Sequence, residues 1–397
     1  MDRMTSRERM MITLRNGQAD RVPVAPDISV MIPVRLSGHD FWQADLRGDP
    51  PIWRAYMEAV RYFGMDGWFT YAGLGYHMPV GLSHKSTSET IGDRIIMHRT
   101  LTTPDGDMTM EFVCPKTDPR TPTLKYVKDF KEDFKKIRHM FQTPTGYDDS
   151  GYKSMKEFVG EDGMMCVGIN APGFQNLVTW FNGNIEALTY AYYDHTDLFM
   201  ELIELNHKQA VKMAEMAVEA KVDSILTGGS GSVTLQSPEL WRLFSLPTLK
   251  EIGKMCREGG VISGIHSCGK EYYLTKTVAE ETQIDYVNPL EIPPMGDCVL
   301  ADVKREFGGK LALMGNLHTT ETMLNGMPER VKKESLEAIL DAGVGGGFVL
   351  STGDQCGYNT PLENIFRMVE TAKIYGVYPL DIEGIRSEIA KIGGVHP

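Results

Sequence analysis

His266 and Cys268, with one residue between them, close the apolar run VISGIHSCG. Side chains alternate along an extended strand, so positions 266 and 268 face the same side and present an imidazole and a thiol together. A further soft donor, Cys356, lies in STGDQCGYNTPLEN, directly after another apolar run. One His and two Cys suit zinc, and three protein ligands leave a fourth position open for a reacting molecule, as catalytic zinc sites do. Spacing alone leaves a plainer reading standing, in which all three are core residues, because Cys356 is remote from the other two in the chain.

For such distant residues to meet, the fold must bring strand ends together. A helical segment at 6–16 precedes the strand-like run VPVAPDIS within 21–34, and an amphipathic segment at 51–63, rich in aromatics, precedes a strand ending near Tyr71. Six further apolar runs follow at 164–170, 224–227, 261–266, 286–289, 311–315 and 347–351, with long helical stretches such as 194–220 and 238–258 between them. Alternation of this kind indicates a parallel sheet, and eight strands indicate a closed barrel. The expected fold is α/β, a (β/α)8 TIM barrel over residues 1–397 as one domain, with an N-terminal helical extension. An open doubly wound sheet is the alternative, but no glycine-rich phosphate loop follows the first strand.

The alternation is interrupted once. DRIIMHRTLTT and DMTMEFV alternate with period two and are joined by Pro104-Asp105-Gly106, a hairpin turn signature, so a β-hairpin insertion is expected within 85–125. Residues 118–122 read as a short linker, and 125–141 as a charged helix.

In a parallel barrel, side chains at the C-terminal ends of strands converge on one face. Applied here, this selects Asp27 and Ser29, Tyr71, Asn170 and Gln175, Ser230 and Ser232, Asn288 and Glu291, Asn316 and His318, and Asp354 beside Cys356. Glu291 could serve as an acid or as a fourth metal ligand, although a loop-capping role explains it equally. Asn170, Asn316 and His318 are candidates for hydrogen bonds to substrate, and Asp354 for supporting a metal ligand from behind. Aromatic residues crowd the stretch from Phe41 to Tyr76. Trp53, Tyr56 and Phe63 have helical spacing and belong to packing, whereas Tyr71 and Tyr76 follow a strand and could wall a flat guest.

A net charge of −12 repels phosphate backbones and anionic membranes, and no basic stripe offsets it, so nucleic acid and membrane are not expected partners. No run approaches the roughly 18 apolar residues of a membrane span, and the first residues lack a signal-peptide core. A cytoplasmic protein with six reduced cysteines is expected.

Five words in order, SPELWRLFSLPTLKEI, IHSCG, NPLEIPPMGD, LMGNLHT and GDQCGYNTPLENI, give the chain its resemblance to the uroporphyrinogen decarboxylase superfamily of (β/α)8 barrels. True decarboxylases carry an arginine-containing motif near the N-terminus that VPVAPDISVMIPVRLSG lacks. The H-x-C plus late Cys resembles the zinc signature of the superfamily's corrinoid-dependent methyltransferases, which implies His266, Cys268 and Cys356 as ligands. Some of these enzymes move a methyl group from a corrinoid to a thiol such as coenzyme M, and others move it from a donor to the corrinoid. Chain length and the aromatic N-terminal part make this chain more similar to the branch that demethylates aryl methyl ethers.

The resemblance therefore implies a zinc enzyme transferring the methyl of a methoxylated aromatic compound to cob(I)alamin. No D-x-H-x-x-G corrinoid motif occurs, so cobalamin must arrive on a partner corrinoid protein. The chain could also pair with a second copy as a homodimer. The alternatives are a methylcobamide:coenzyme M methyltransferase, a decarboxylase-like barrel without methyl transfer, and a non-catalytic barrel that stores zinc.

Overall fold

In the computed structural model, which describes residues 3–393, seven parallel strands follow one another in chain order around a curled sheet. They are Gly67–Ala72, Gly163–Gly168, Ser224–Gly228, Ile262–His266, Tyr286–Asn288, Ala312–Leu317 and Phe348–Thr352. Every residue of the last two is buried, as expected of strands covered on both faces. The eighth position is filled by an irregular run. Leu350 N donates to Pro23 O and Ala25 N to Leu350 O, each at 2.9 Å, and on the other side Asp66 N donates to Val24 O at 2.8 Å. Residues 22–25 thus bridge the last strand to Asp66, the residue before the first strand, and close the ring.

The expected strand within 21–34 is consequently shorter than the reading, and Met31–Ser37 is a helix. Pro23 and Pro26 carry no N–H, so this segment cannot make a full ladder on either side. Buried Asp66 fastens it, accepting from Val24 N at 2.8 Å, Arg21 Nη1 at 2.8 Å and Arg9 Nη1 at 2.6 Å.

Alternation divides each strand between two cores. Ile262, Tyr286, Met314 and Val349 point into the barrel, where Trp68 Nε1 donates to Tyr286 Oη at 3.2 Å. Phe69, Ile265, Val287 and Leu313 point outward to the helices. Gly264 is required here, since a Cβ would run into the Tyr286 ring. The N-terminal helix Ser6–Leu14, begun by a Thr5–Glu8 capping box, inserts Met10 and Leu14 into the interior cluster and plugs the lower end.

Between the first two sheet strands, four antiparallel strands form a separate sheet, Ser83–Ile91, Arg94–Thr103, Gly106–Pro115 and Thr121–Leu124. The expected hairpin is its centre, with Thr103 paired to Gly106 across the turn. The other two strands correct the hairpin reading, and the stretch taken as a linker joins the sheet at Thr121. Ser83–Ile91 is exposed along its whole length, so no apolar alternation marked it. One face of this sheet, with Met97, Leu101, Met110 and Phe112, packs on Phe130, Phe134 and Ile137 as a second hydrophobic cluster. The helix expected over 238–258 is divided at Ser245 into Pro238–Phe244 and Leu246–Gly259, with Pro247 in the first turn of the second. Among the described residues no helix is long and apolar enough to cross a membrane.

Candidate metal centre at the barrel mouth

The strand Ile262–His266 ends at the C-terminal face of the barrel, and its inward parity carries from Ile262 through Gly264 to His266. His266, Cys268 and Asp354 each offer one ligand atom there, and the three atoms lie within 4.8 Å of one another. Cys268 Sγ is 3.7 Å from His266 Nε2. Asn288, at the end of the neighbouring strand, places its amide 3.3 Å from His266 Nδ1.

Cys356 is not one of the three. Its backbone N–H donates to Asp27 O at 2.8 Å, and its fully buried thiol lies against Thr352 with Asp27 and Asp354 nearby. The sequence reading gave Cys356 the third ligand position and Asp354 a supporting one, whereas this arrangement groups the carboxylate with His266 and Cys268. Both residues lie beyond the strand Phe348–Thr352, on a loop where parity no longer tells which side chain turns inward.

Burial dominates the electrostatics. It pushes the Cys268 thiol up to about 12, aided by the charge of Asp354 and opposed by a hydrogen bond with Ser230. It raises Cys356 as well, with Asp27 adding to the effect, and it lowers His266. Asp27 is pushed up to about 6 by desolvation, with the Ser29 hydroxyl opposing and Asp354 adding repulsion. Glu291 is raised by burial and by Asp354, although Gly269 N–H donates to its Oε2. A neutral imidazole beside thiol and carboxylate is an N, S and O donor set that fits zinc, and a divalent cation would relieve the crowded negative charge and favour thiolate.

The other sequence candidates divide. Glu291, Asn316 and His318 line one small cleft beside Gly353. Asn316 Nδ2 donates to Leu290 O at 3.1 Å, and His318 Nδ1 accepts from Thr320 N and Glu321 N, both at 3.1 Å. Tyr71 stacks its edge near Tyr56 and Phe69, at centroid distances of 5.4 and 5.6 Å, and is within electrostatic reach of Asp27. Tyr76 is not brought to this cluster, since its hydroxyl donates to Met213 O at 3.3 Å on the long helix Thr196–Glu219. Asn170 lies in a neighbouring cleft with Asn176 and Asn206.

Glu271 escaped the sequence reading. It is fully buried, its Oε2 accepts from Glu291 N at 2.8 Å, and burial raises its carboxyl well above the ordinary range. Nothing in HSCGKEY separates a buried glutamate from a solvated one.

A parallel barrel with its polar cluster at the C-terminal mouth defines a class in which the strand-end loops carry the chemistry. The uroporphyrinogen decarboxylase (URO-D) family model matches residues 93–375, and the chain belongs to that family. It is 26% identical over 226 residues to the methylcobamide:CoM methyltransferase MtaA of Methanosarcina barkeri, a match covering 56% of this chain and 62% of that protein. To a methylated-thiol–coenzyme M methyltransferase of Methanosarcina mazei it is 28% identical over 148 residues, 37% of this chain and 36% of the relative. The chain thus matches less than two thirds of either relative's length. A solved methyltransferase from Methanosarcina mazei shares the fold, with a TM-score of 0.63 and 18% identity over 94% of this chain and 99% of that one.

Proposed function

We propose that the protein is a zinc-dependent methyltransferase moving the O-methyl group of a methoxylated aromatic compound to the cob(I)alamin of a separate corrinoid protein. The observation that carries the reading is the convergence of His266, Cys268 and Asp354 at the barrel mouth, with Glu291 alongside. His266 and Cys268, with Cys356 or Asp354, would hold the ion. Bound zinc would supply Lewis-acid polarisation of the ether oxygen.

The remaining chemistry falls to the chain. In the transfer the methyl carbon–oxygen bond breaks with its electron pair left on oxygen, and cobalt(I) gives its own pair to the carbon. Glu291, raised by burial, is suited to hand a proton to the departing phenolate, and Gly269 N–H orients it. Asn316 and His318 share the cleft with Glu291 and would hydrogen-bond the donor's oxygens. Tyr71, backed by Tyr56 and Phe69, supports an aromatic guest.

Incubation of the zinc-loaded protein with cob(I)alamin and methoxyarenes, followed by methylcobalamin absorbance, tests the proposal. Guaiacol-like rings should outpace anisole, because a second oxygen can reach the metal or Glu291, and methanol should react poorly. The Methanosarcina barkeri relative favours a second reading, methyl transfer from a methylcobamide to coenzyme M. Demethylation of methylcobalamin by coenzyme M, with every methoxyarene inert, would select it.

A further inference from the structure

Away from the metal centre, a cavity of about 510 Å³ opens between the antiparallel sheet and the segment around Trp180. That volume is within the range of small-molecule sites. Its walls include Met110, Phe112, Met140, Tyr126 and Trp180, with Arg99 among them. Tyr126 and Trp180 stack with centroids 6.1 Å apart and planes 19° from parallel. Backbone pairing holds this aromatic wall, since Val127 N donates to Trp180 O at 2.9 Å and Asn182 N to Val127 O at 2.8 Å.

Two polar groups here are incomplete. Arg99 Nε and Tyr126 Oη are both buried without a hydrogen-bond partner among the described residues, and Tyr126 as a whole is 2% exposed. Buried polar groups are ordinarily satisfied, and orphans beside a cavity call for a partner there, a water or a ligand. The neighbouring cation Lys125 is already engaged, donating to Val178 O at 2.7 Å and Asn184 Oδ1 at 2.5 Å. The Arg99 guanidinium instead meets the Phe112 ring, 5.6 Å from its centroid, and sits close enough to Tyr126 to act on it electrostatically.

The geometry points to a second ligand site in this cavity, one that takes a small planar aromatic carboxylate. Its ring would lie against Trp180 and the sulfur-rich floor of Met110 and Met140, and its carboxylate would pair with the Arg99 guanidinium that lines the cavity, drawing the covered Arg99 Nε and Tyr126 Oη toward it to complete them. Arg suits such a carboxylate because its donors are fixed in a planar fork. The site shares no residue with the metal centre, and it stands whether or not the methyl-transfer reading does.

Titration calorimetry with 1-naphthoate, which carries no methoxy group, and with its neutral counterpart 1-naphthylmethanol tests the assignment on the full chain. Naphthoate should bind once per chain and about tenfold or more tighter than the alcohol. Arg99→Met should abolish that preference, and Tyr126→Phe, which keeps the ring, should reduce it. Cys268→Ala should leave naphthoate binding unchanged, placing the ligand away from the barrel mouth. Absence of saturable binding, a preference intact in correctly melting Arg99→Met and Tyr126→Phe, or loss of binding in Cys268→Ala would each overturn the site.

Discussion

Asn288 stands with its side-chain amide 3.3 Å from His266 Nδ1, on the far side of the imidazole from Cys268. If Nε2 is the ligating nitrogen, Nδ1 must carry the proton and needs an acceptor. Asn288 Oδ1 is buried with no partner among the described residues. Turning the amide over brings that oxygen to Nδ1–H and satisfies both groups. Asn288→Leu should therefore weaken zinc binding by about tenfold or more with the fold retained. Chelator competition on the wild type and the variant measures this, and equal affinities would remove Asn288 from the support of the metal.

The protein should hold about one zinc per chain. Cys268→Ala should lose most of it. Cys356 and Asp354 compete for the third position from one loop, and thiolate is the softer donor, so Cys356→Ala should lose more zinc than Asp354→Asn. Metal analysis of the three purified variants decides. The reverse order between the last two would give the position to the carboxylate that lies nearer in the structure.

Glu291→Gln should lower methyl transfer by about a hundredfold, the scale of one positioned acid, while zinc content changes little. Its carboxylate is held by Gly269 N–H and raised by burial, which suits proton delivery better than metal retention. Parallel measurement of turnover and bound zinc separates these roles, and an unchanged rate would leave Glu291 a loop cap.

Glu271 should make stability depend on pH. Burial raises its carboxyl, with the Glu291 N–H opposing and the Glu291 charge assisting. Below the ordinary carboxylate value of 4.5 both folded and unfolded chains keep the proton, and the group contributes nothing. Above that value the unfolded chain releases a proton that the folded one retains or loses at a cost, so stability declines as pH rises toward the folded value. Glu271→Gln keeps an acceptor for Glu291 N–H and removes the ionisation, so it should raise the melting temperature at pH 8 and leave it nearly unchanged at pH 4. Thermal melts at the two values test it, and an equal shift at both would contradict the linkage.

The features set by the sequence alone are those with a local period. Alternation places His266 and Cys268 on one side of a strand end, the βα rhythm indicates a barrel, and Pro104-Asp105-Gly106 marks a turn that the structure places between two paired strands. Tertiary structure decided what depends on meetings between distant segments. VPVAPDIS reads as a strand, but that residues 22–25 close the ring with only a few bonds, to Asp66 just before the first strand and to Leu350 in the last, is set by packing. Ser83–Ile91 is a strand because Arg94–Thr103 offers it an edge, not because its exposed residues alternate. Which of Asp354 and Cys356 faces His266 is set by a loop without a repeating geometry, and whether Glu271 is solvated or buried is set by the loop that carries Glu291. Periodicity records the direction of a side chain within its own element, and only packing between elements determines what it meets there.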